Sequence, residues 1–455
     1  MFNSLLKKML SRTAKQFRSE LGLALLRTFI ARGVSALGGL LLVVVLGRLY
    51  GPNGVGLFAL AQSLYLGAGI MAKYGMDNAL MRFVGQEPHC VHVKTYLRWA
   101  LMRSLWLSLL AAVAIYLLRS PLERLFSSPE LASVLPGIAV AIPAFTLAFV
   151  LGGFMKGVNK PATACLLENG SISLIATLLL LSMNLMWPDS GILQAGWAFA
   201  LAAWLVLGQG FWQARHWLVR QKWKVIGELI SRKEFRSSSQ AFFFLSLAQF
   251  MQQVVGIMIA GWLLSSDELG LFRSAERIAF LISFILLVIN AVFPPRFAKL
   301  FYKGDYFGLN RLAKKSSLFA SLLAFPLLII CLCYPSWVLG LMGEGFSGAS
   351  FILQILACAQ LVNVSTGSVG FLLNMTGHEA LMRNISLLCN ALGLLLLLIM
   401  TSQFGIVGAA FSFATVLVLQ NLTALFFAWR RLGIWMLPLP NLFKLLGIST
   451  ERESI

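Results

Sequence analysis

Apolar runs of about twenty residues follow one another along nearly the whole chain, and no other feature constrains its fold as tightly. A run of that length crosses the hydrocarbon of a bilayer as one α-helix. Lipid offers the backbone no hydrogen-bond partner, so only helices or closed barrels span it. The runs are continuous rather than alternating, which selects helices. Twelve candidate spans can be marked: 22–46, 54–74, 98–118, 134–155, 162–187, 191–213, 241–264, 269–293, 316–335, 347–375, 381–402 and 405–429. The even count puts both termini on one side. Composition agrees: 58% of the 455 residues are hydrophobic and 12% charged, and the mean hydropathy is +0.81.

Positive charge sets the orientation, because Lys and Arg gather on the cytoplasmic side of short loops. With the N-terminus inside, the outer segments hold only Arg48, Arg119 and Arg124. Arg27, Arg32, Arg273 and Arg277 lie within spans, and the remaining 30 of the 37 Lys and Arg are cytoplasmic. This topology accounts for a net charge of +20 without nucleic acid as a partner. In the first 21 residues, Leu10, Ala14, Phe17 and Leu21 recur at helical spacing, with Lys7, Lys8, Arg12, Lys15 and Arg18 between them. That pattern predicts a helix lying on an anionic membrane face, and it is too charged for a cleaved signal.

Catalytic chemistry finds no foothold. The outer loops are too short for an external catalytic domain, and Gly51-Pro52-Asn53-Gly54 is a turn rather than a phosphate loop. No Walker lysine motif follows a strand. The six cysteines lack zinc-type spacing. His89, Cys90 and His92 stand close together but have no further ligand cluster. The chain reads as a non-enzyme that needs no metal or cofactor.

The chain also repeats itself. LGLF at 269–272 matches VGLF at 55–58, RF at 296–297 matches RF at 82–83, and GIVGAAFSFA at 405–414 matches GILQAGWAFA at 191–200. All three share an offset of 214 residues, the mark of an internal duplication. Six spans per repeat start each half on the same side, the arrangement of parallel-repeat transporters. The organisation expected is an amphipathic segment (1–21), an N-lobe (22–214), a cytoplasmic inter-lobe loop (215–240), a C-lobe (241–429) and a cytoplasmic tail (430–455). The fold class is therefore an all-α polytopic membrane protein. Its twelve or so transmembrane helices form two pseudo-repeated six-helix bundles around a central cavity.

Charge inside a span is costly and faces a bundle interior or a wet cavity. Arg273 and Arg277 are one turn apart and share a helix face, and Glu276 can pair with Arg273. Two readings stay open for them: a self-neutralising cluster, or a cationic cavity wall. The surplus of arginine favours an anionic ligand, because guanidinium grips phosphate through a planar fork. Arg32 lies two to three turns inside span one and is the better cavity residue. Arg27 can snorkel to the cytoplasmic interface. Glu168 and Glu276 are carboxylates at membrane depth and candidates for carrying a coupling proton, with arginine pairing as the alternative. Asp77 with Arg82, and the repeat-equivalent Arg296, sit at the inner ends of spans two and eight, where they can ring a cytoplasmic mouth. Gln249, Gln252, Gln253, Asn290, Gln360, Asn363, Asn374, Gln420 and Asn421 can serve either as interhelical glue or as sugar contacts.

GRLYGPNGVGLFALAQSL (47–64), GMDNALMRFV (75–84), LGLFRSAERIAFLISFILLVINAVFPPRFAKLF (269–301) and LLNMTGHEALMRN (372–384) resemble the polysaccharide-repeat-unit flippases. These belong to the multidrug/oligosaccharidyl-lipid/polysaccharide export superfamily. The resemblance spans essentially the whole chain. It implies two six-helix lobes whose cavity opens alternately to either side of a bacterial cytoplasmic membrane. The implied cargo is an undecaprenyl-diphosphate-linked oligosaccharide for O-antigen, capsule or exopolysaccharide. The implied partners are that lipid-linked substrate, membrane lipids and a polysaccharide polymerase. Similar peptidoglycan-precursor flippases use cavity arginines in spans one and eight, and Arg32 (with Arg27) and Arg273 occupy comparable places. Drug exporters of the superfamily often carry an acid in span one, whereas Ala24–Leu46 has none. A cation-coupled multidrug antiporter of the same fold is the first rival reading. A membrane-embedded glycan polymerase or ligase is the second.

Overall fold

Glycine and proline decide where the apolar runs stop being one helix. In the computed structural model, which describes residues 20–188, 191–224, 229–250 and 254–437, the first helix α1 is Glu20–Lys73 and is kinked at Gly51. Gly51 has φ 66°, a left-handed backbone that glycine adopts without penalty. Pro52 then starts the second half, where a missing N–H costs nothing. Spans one and two are thus one kinked element. After it come α2 (Met76–Gln86), α3 (Val93–Leu117) and α4 (Leu131–Gly157). Next is α5 (Pro161–Cys165), which runs through a π-turn at Leu166–Gly170 into α6 (Ser171–Met186) and then α7 (Leu193–Arg220). The second half holds α8 (Arg232–Phe250), α9 (Gly256–Leu263), α10 (Ser266–Ile282), α11 (Phe284–Val292) and α12 (Pro294–Tyr302). It ends with α13 (Tyr306–Cys333), α14 (Ser350–Thr366), α15 (Val369–Met375) and α16 (Glu379–Leu432), the last kinked at Gly405.

Seven helices among the described residues are long and apolar enough to cross a membrane, or eight if the pair bent by 43° around the π-turn counts as one span. The twelve marked spans reach that tally by fusion and fracture. Spans eleven and twelve join at Gly405, as one and two do at Gly51. Span eight is interrupted at Ser283, whose backbone leaves the helical region at φ −89° and ψ 0° and whose N–H turns to the Phe280 carbonyl three residues back. The amphipathic segment expected at the N-terminus lies almost wholly outside the described residues.

The chain divides into two compact units. The first is Met1–Tyr50 with Leu57–Met258, and the second is Gly51–Gly56 with Ile259–Ile455. In the first, α4 is the central helix. It is buried on nearly all sides and packs on α2, α3 and α7. Small residues permit this approach: a methyl at Gly137 would overlap the Gly196 backbone, and one at Gly153 would overlap the Asp77 carbonyl. In the second, α14 packs on α10, α13 and α16. Phe297, Leu372, Leu373, Trp429 and Met436 make a core where α12, α15 and the end of α16 meet. Within this unit Gly56 abuts Ser266, and Gly270 abuts Pro52, each so closely that a methyl would overlap the opposite carbonyl oxygen. These positions are related in pairs by the 214-residue offset. Gly191 and Gly405, related in the same way, share a left-handed backbone with φ 60° and 55°.

Candidate functional site

Among the described residues, each unit holds a cluster of charged side chains set among its apolar helices. That of the first unit is built where α1 reverses into α2. Tyr74 and Gly75 both take positive φ there, and the turn brings Lys73 back over Asp77. Lys73 Nζ lies 2.8 Å from Asp77 Oδ2, and both side chains are 7% exposed. The ammonium also sits 4.4 Å from the centroid of the Phe149 ring, a favourable place for a cation. Asp77 Oδ1 is buried without a hydrogen-bond partner. Close by, the π-turn presents Glu168 to Lys156 in an ion pair, with Nζ 2.5 Å from Oε1. Asp77 and Glu168 pack on neighbouring glycines of α4: Gly153 against the Asp77 backbone and Gly152 against the Glu168 side chain. Two lysines thus face two carboxylates, and the cluster is neutral.

That of the second unit rides on α10. A capping box fixes the helix start: the Ser265 hydroxyl accepts from the Glu268 N–H at 3.3 Å, and the Glu268 carboxylate accepts from the Ser265 N–H at 3.0 Å. From this cap, Arg273 and Arg277 stand about 12 and 18 Å along the helix. Arg273 is 9% exposed and donates to the Glu276 carboxylate. Arg277 makes no hydrogen bond or ion pair among the described residues, and the Ser274 hydroxyl beside Arg273 is buried and unpartnered. Glu276 neutralises Arg273 alone, and the half-buried Arg277 is left as an uncompensated positive charge.

The other sequence-predicted residues fall as follows. Arg27 and Arg32 are exposed on α1. Arg82 on α2 is exposed and donates to Ser238 Oγ at 3.4 Å. Its repeat equivalent Arg296 on α12 is also exposed, while the following residues, Phe83 and Phe297, are both buried. Asp77 pairs with Lys73, and Glu168 pairs with a lysine rather than an arginine. Lys73 and Lys156 are participants that sequence reasoning missed. Counting span-end lysines as loop charge hid them, although Lys73 stands i,i+4 to Asp77. Two of the amides tie separate elements: Ser368, just before α15, donates to Asn290 at 2.5 Å and Thr366 to Asn421 at 3.2 Å. Gln420 donates to Ser386 at 3.1 Å across the kink of α16, Asn363 donates to Gln360 at 2.9 Å within α14, and Gln252 and Gln253 lie outside the described residues. His89 stacks on Trp217 and Cys90 bridges to Lys224, so this stretch joins two loops. No metal-binding group occurs among the described residues.

A family model described as polysaccharide biosynthesis protein matches residues 25–301. No curated protein matches. Among solved structures, the lipid II flippase MurJ in an inward closed conformation aligns with a TM-score of 0.68 and 12% identity, covering 87% of this chain and 86% of its own. An inward-facing multidrug resistance MATE family transporter of the MOP superfamily gives 0.66 and 15%, covering 88% and 94%. The MATE multidrug transporter DinF-BH gives 0.63 and 18%, covering 90% and 95%. At these identities the likeness establishes the fold: an all-helical, multi-pass membrane protein with the twelve-helix architecture of that superfamily.

Proposed function

Because the chain belongs to the polysaccharide biosynthesis protein family, we propose that it is a flippase for an undecaprenyl-diphosphate-linked oligosaccharide. In this reading it moves its cargo from the cytoplasmic to the outer leaflet of a bacterial cytoplasmic membrane by alternating access, with both termini cytoplasmic. The observation that carries the proposal is the uncompensated guanidinium on α10: Glu276 is taken by Arg273, and the half-buried Arg277 one turn on has no carboxylate among the described residues. A cation held away from water without a full partner is unfavourable, and an anionic cargo relieves it. A diphosphate offers two adjacent acceptor groups that match a pair of guanidinium forks.

Arg273, Arg277, Arg32 and Arg27 are assigned to the diphosphate, and Arg82 and Arg296 to attracting the head group at the cytoplasmic mouth. Glu168, Asp77 and Glu276 are the groups assigned to coupling. The lipid tail stays in the bilayer while the polar head crosses, and the product is handed to a polymerase of surface glycan. Replacing Arg273 or Arg32 by Ala should abolish export of surface glycan at unchanged protein abundance, with the lipid-linked intermediate accumulating inside. Normal glycan in both variants would defeat the reading.

One observation favours a second reading, a cation-coupled multidrug antiporter. Asp77 Oδ1 is a buried carboxylate oxygen with no hydrogen-bond partner among the described residues, and buried carboxylates within spans are the residue type that serves ion pathways. Drug efflux that depends on Asp77, with surface glycan intact, would select it.

A further inference from the structure

On the first unit, α3 turns most of its apolar surface outward, and one of its faces lines a groove of about 360 Å³. Leu97, Leu101 and Leu105 of α3 form one wall, Phe211 and Leu218 of α7 the other, and Leu147 of α4 the floor. The mouth at the start of α3 is flanked by Lys94 and Arg98, one helical turn apart. Both are exposed. The Lys94 ammonium lies 4.8 Å from the centroid of the Trp223 ring, and Arg98 has no hydrogen bond, ion pair or ring contact among the described residues. No Asp or Glu occurs anywhere in α3 or α7.

The dimensions and charges of this groove specify an occupant. From Lys94 to Leu105 the α3 axis advances about 16 Å, close to the ~15 Å depth of one leaflet of hydrocarbon. The walls are apolar over that length, and cations stand only at the membrane edge. Scattered positive-inside charge would explain two cations at a helix end, but it would not place them at the mouth of a leaflet-deep apolar cleft. Basic pockets between transmembrane helices at the cytoplasmic edge hold anionic lipid head groups. We propose that this groove is a binding site for one anionic phospholipid of the surrounding bilayer. One acyl chain lies between α3 and α7, and the phosphate bridges Lys94 and Arg98. The indole of Trp223 steadies Lys94 at the interface, where tryptophan is at home. The site is separate from the charged clusters assigned to transport, and it holds whatever the cargo proves to be.

The test is native mass spectrometry of the full-length purified chain, titrated with phosphatidylglycerol or with phosphatidylcholine of the same acyl chains. One phosphatidylglycerol should be retained, and phosphatidylcholine much less. Lys94→Gln with Arg98→Gln should cut retention about tenfold or more. Leu101→Trp, which fills the groove and leaves both charges, should cut it equally. Met102→Trp, at an exposed position of the same face, serves if Leu101→Trp does not fold. Equal retention of the two lipids would overturn the proposal. So would retention that survives the tryptophan variants, because charge adsorption alone would then explain binding. Binding of undecaprenyl phosphate in the groove with no phosphatidylglycerol adduct would also overturn it. None of these readouts involves transport, so failure here leaves the flippase reading untouched, and the reverse holds.

Discussion

The two units bury charge in opposite ways. In the first, Lys73 with Asp77 and Lys156 with Glu168 form pairs that cancel. In the second, Glu276 pairs with Arg273 alone, and the positive charge of Arg277 is left over. The difference separates cohesion from recruitment. A charge pair closed on itself within a packed helix cluster adds to the structure's specificity and gives a ligand little to hold. A surplus held away from water is poorly satisfied until something of opposite sign arrives.

The largest test of this contrast breaks the closed pair. Asp77→Ala leaves Lys73 buried without its partner and should cost about 3–5 kcal/mol of stability, read as a drop in melting temperature and in membrane abundance. If that variant melts like the parent, the pair is not structural. The second test addresses the surplus. Arg277→Gln should leave melting nearly unchanged, because no ion pair is lost, while weakening cargo binding about tenfold, the worth of one charge-assisted contact. A large stability loss at Arg277 would place it in the fold rather than the site. Third, Lys156→Ala should cost less than Asp77→Ala, since Glu168, left without its partner, keeps 15% of its side chain exposed where Lys73 keeps 7%. The smallest effect belongs to Lys73→Met combined with Asp77→Leu, which should sit within about 1 kcal/mol of the parent, because apolar groups replace a buried pair at little cost. A double variant as unstable as Asp77→Ala would mean that the polar contacts themselves hold the turn.

The fold was largely legible because hydropathy reports burial in lipid directly. The duplication was legible too, and the structure gives it physical content: Gly191 and Gly405 share one backbone conformation, and Gly56 and Gly270 make mirrored close contacts. What hydropathy could not show was continuity. Gly51 and Gly405 turn two pairs of spans into single kinked elements, and Ser283 divides span eight. Such breaks depend on single residues that an averaged window conceals. The arginines of α10 stood out because charge in an apolar run is rare. Lys73 did not, because a lysine at a span end looks like topology until Tyr74 and Gly75 fold it back over Asp77. The amides stayed ambiguous in sequence, since Asn290 and Asn421 owe their roles to Ser368 and Thr366 on other helices.

The surplus on α10 is tested most directly by titrating undecaprenyl diphosphate and undecaprenyl monophosphate into the purified chain and into Arg273→Ala/Arg277→Ala. The account predicts that the parent prefers the diphosphate and that the double variant loses this preference while melting as a folded protein. A double variant that still prefers the diphosphate by the same factor would contradict it.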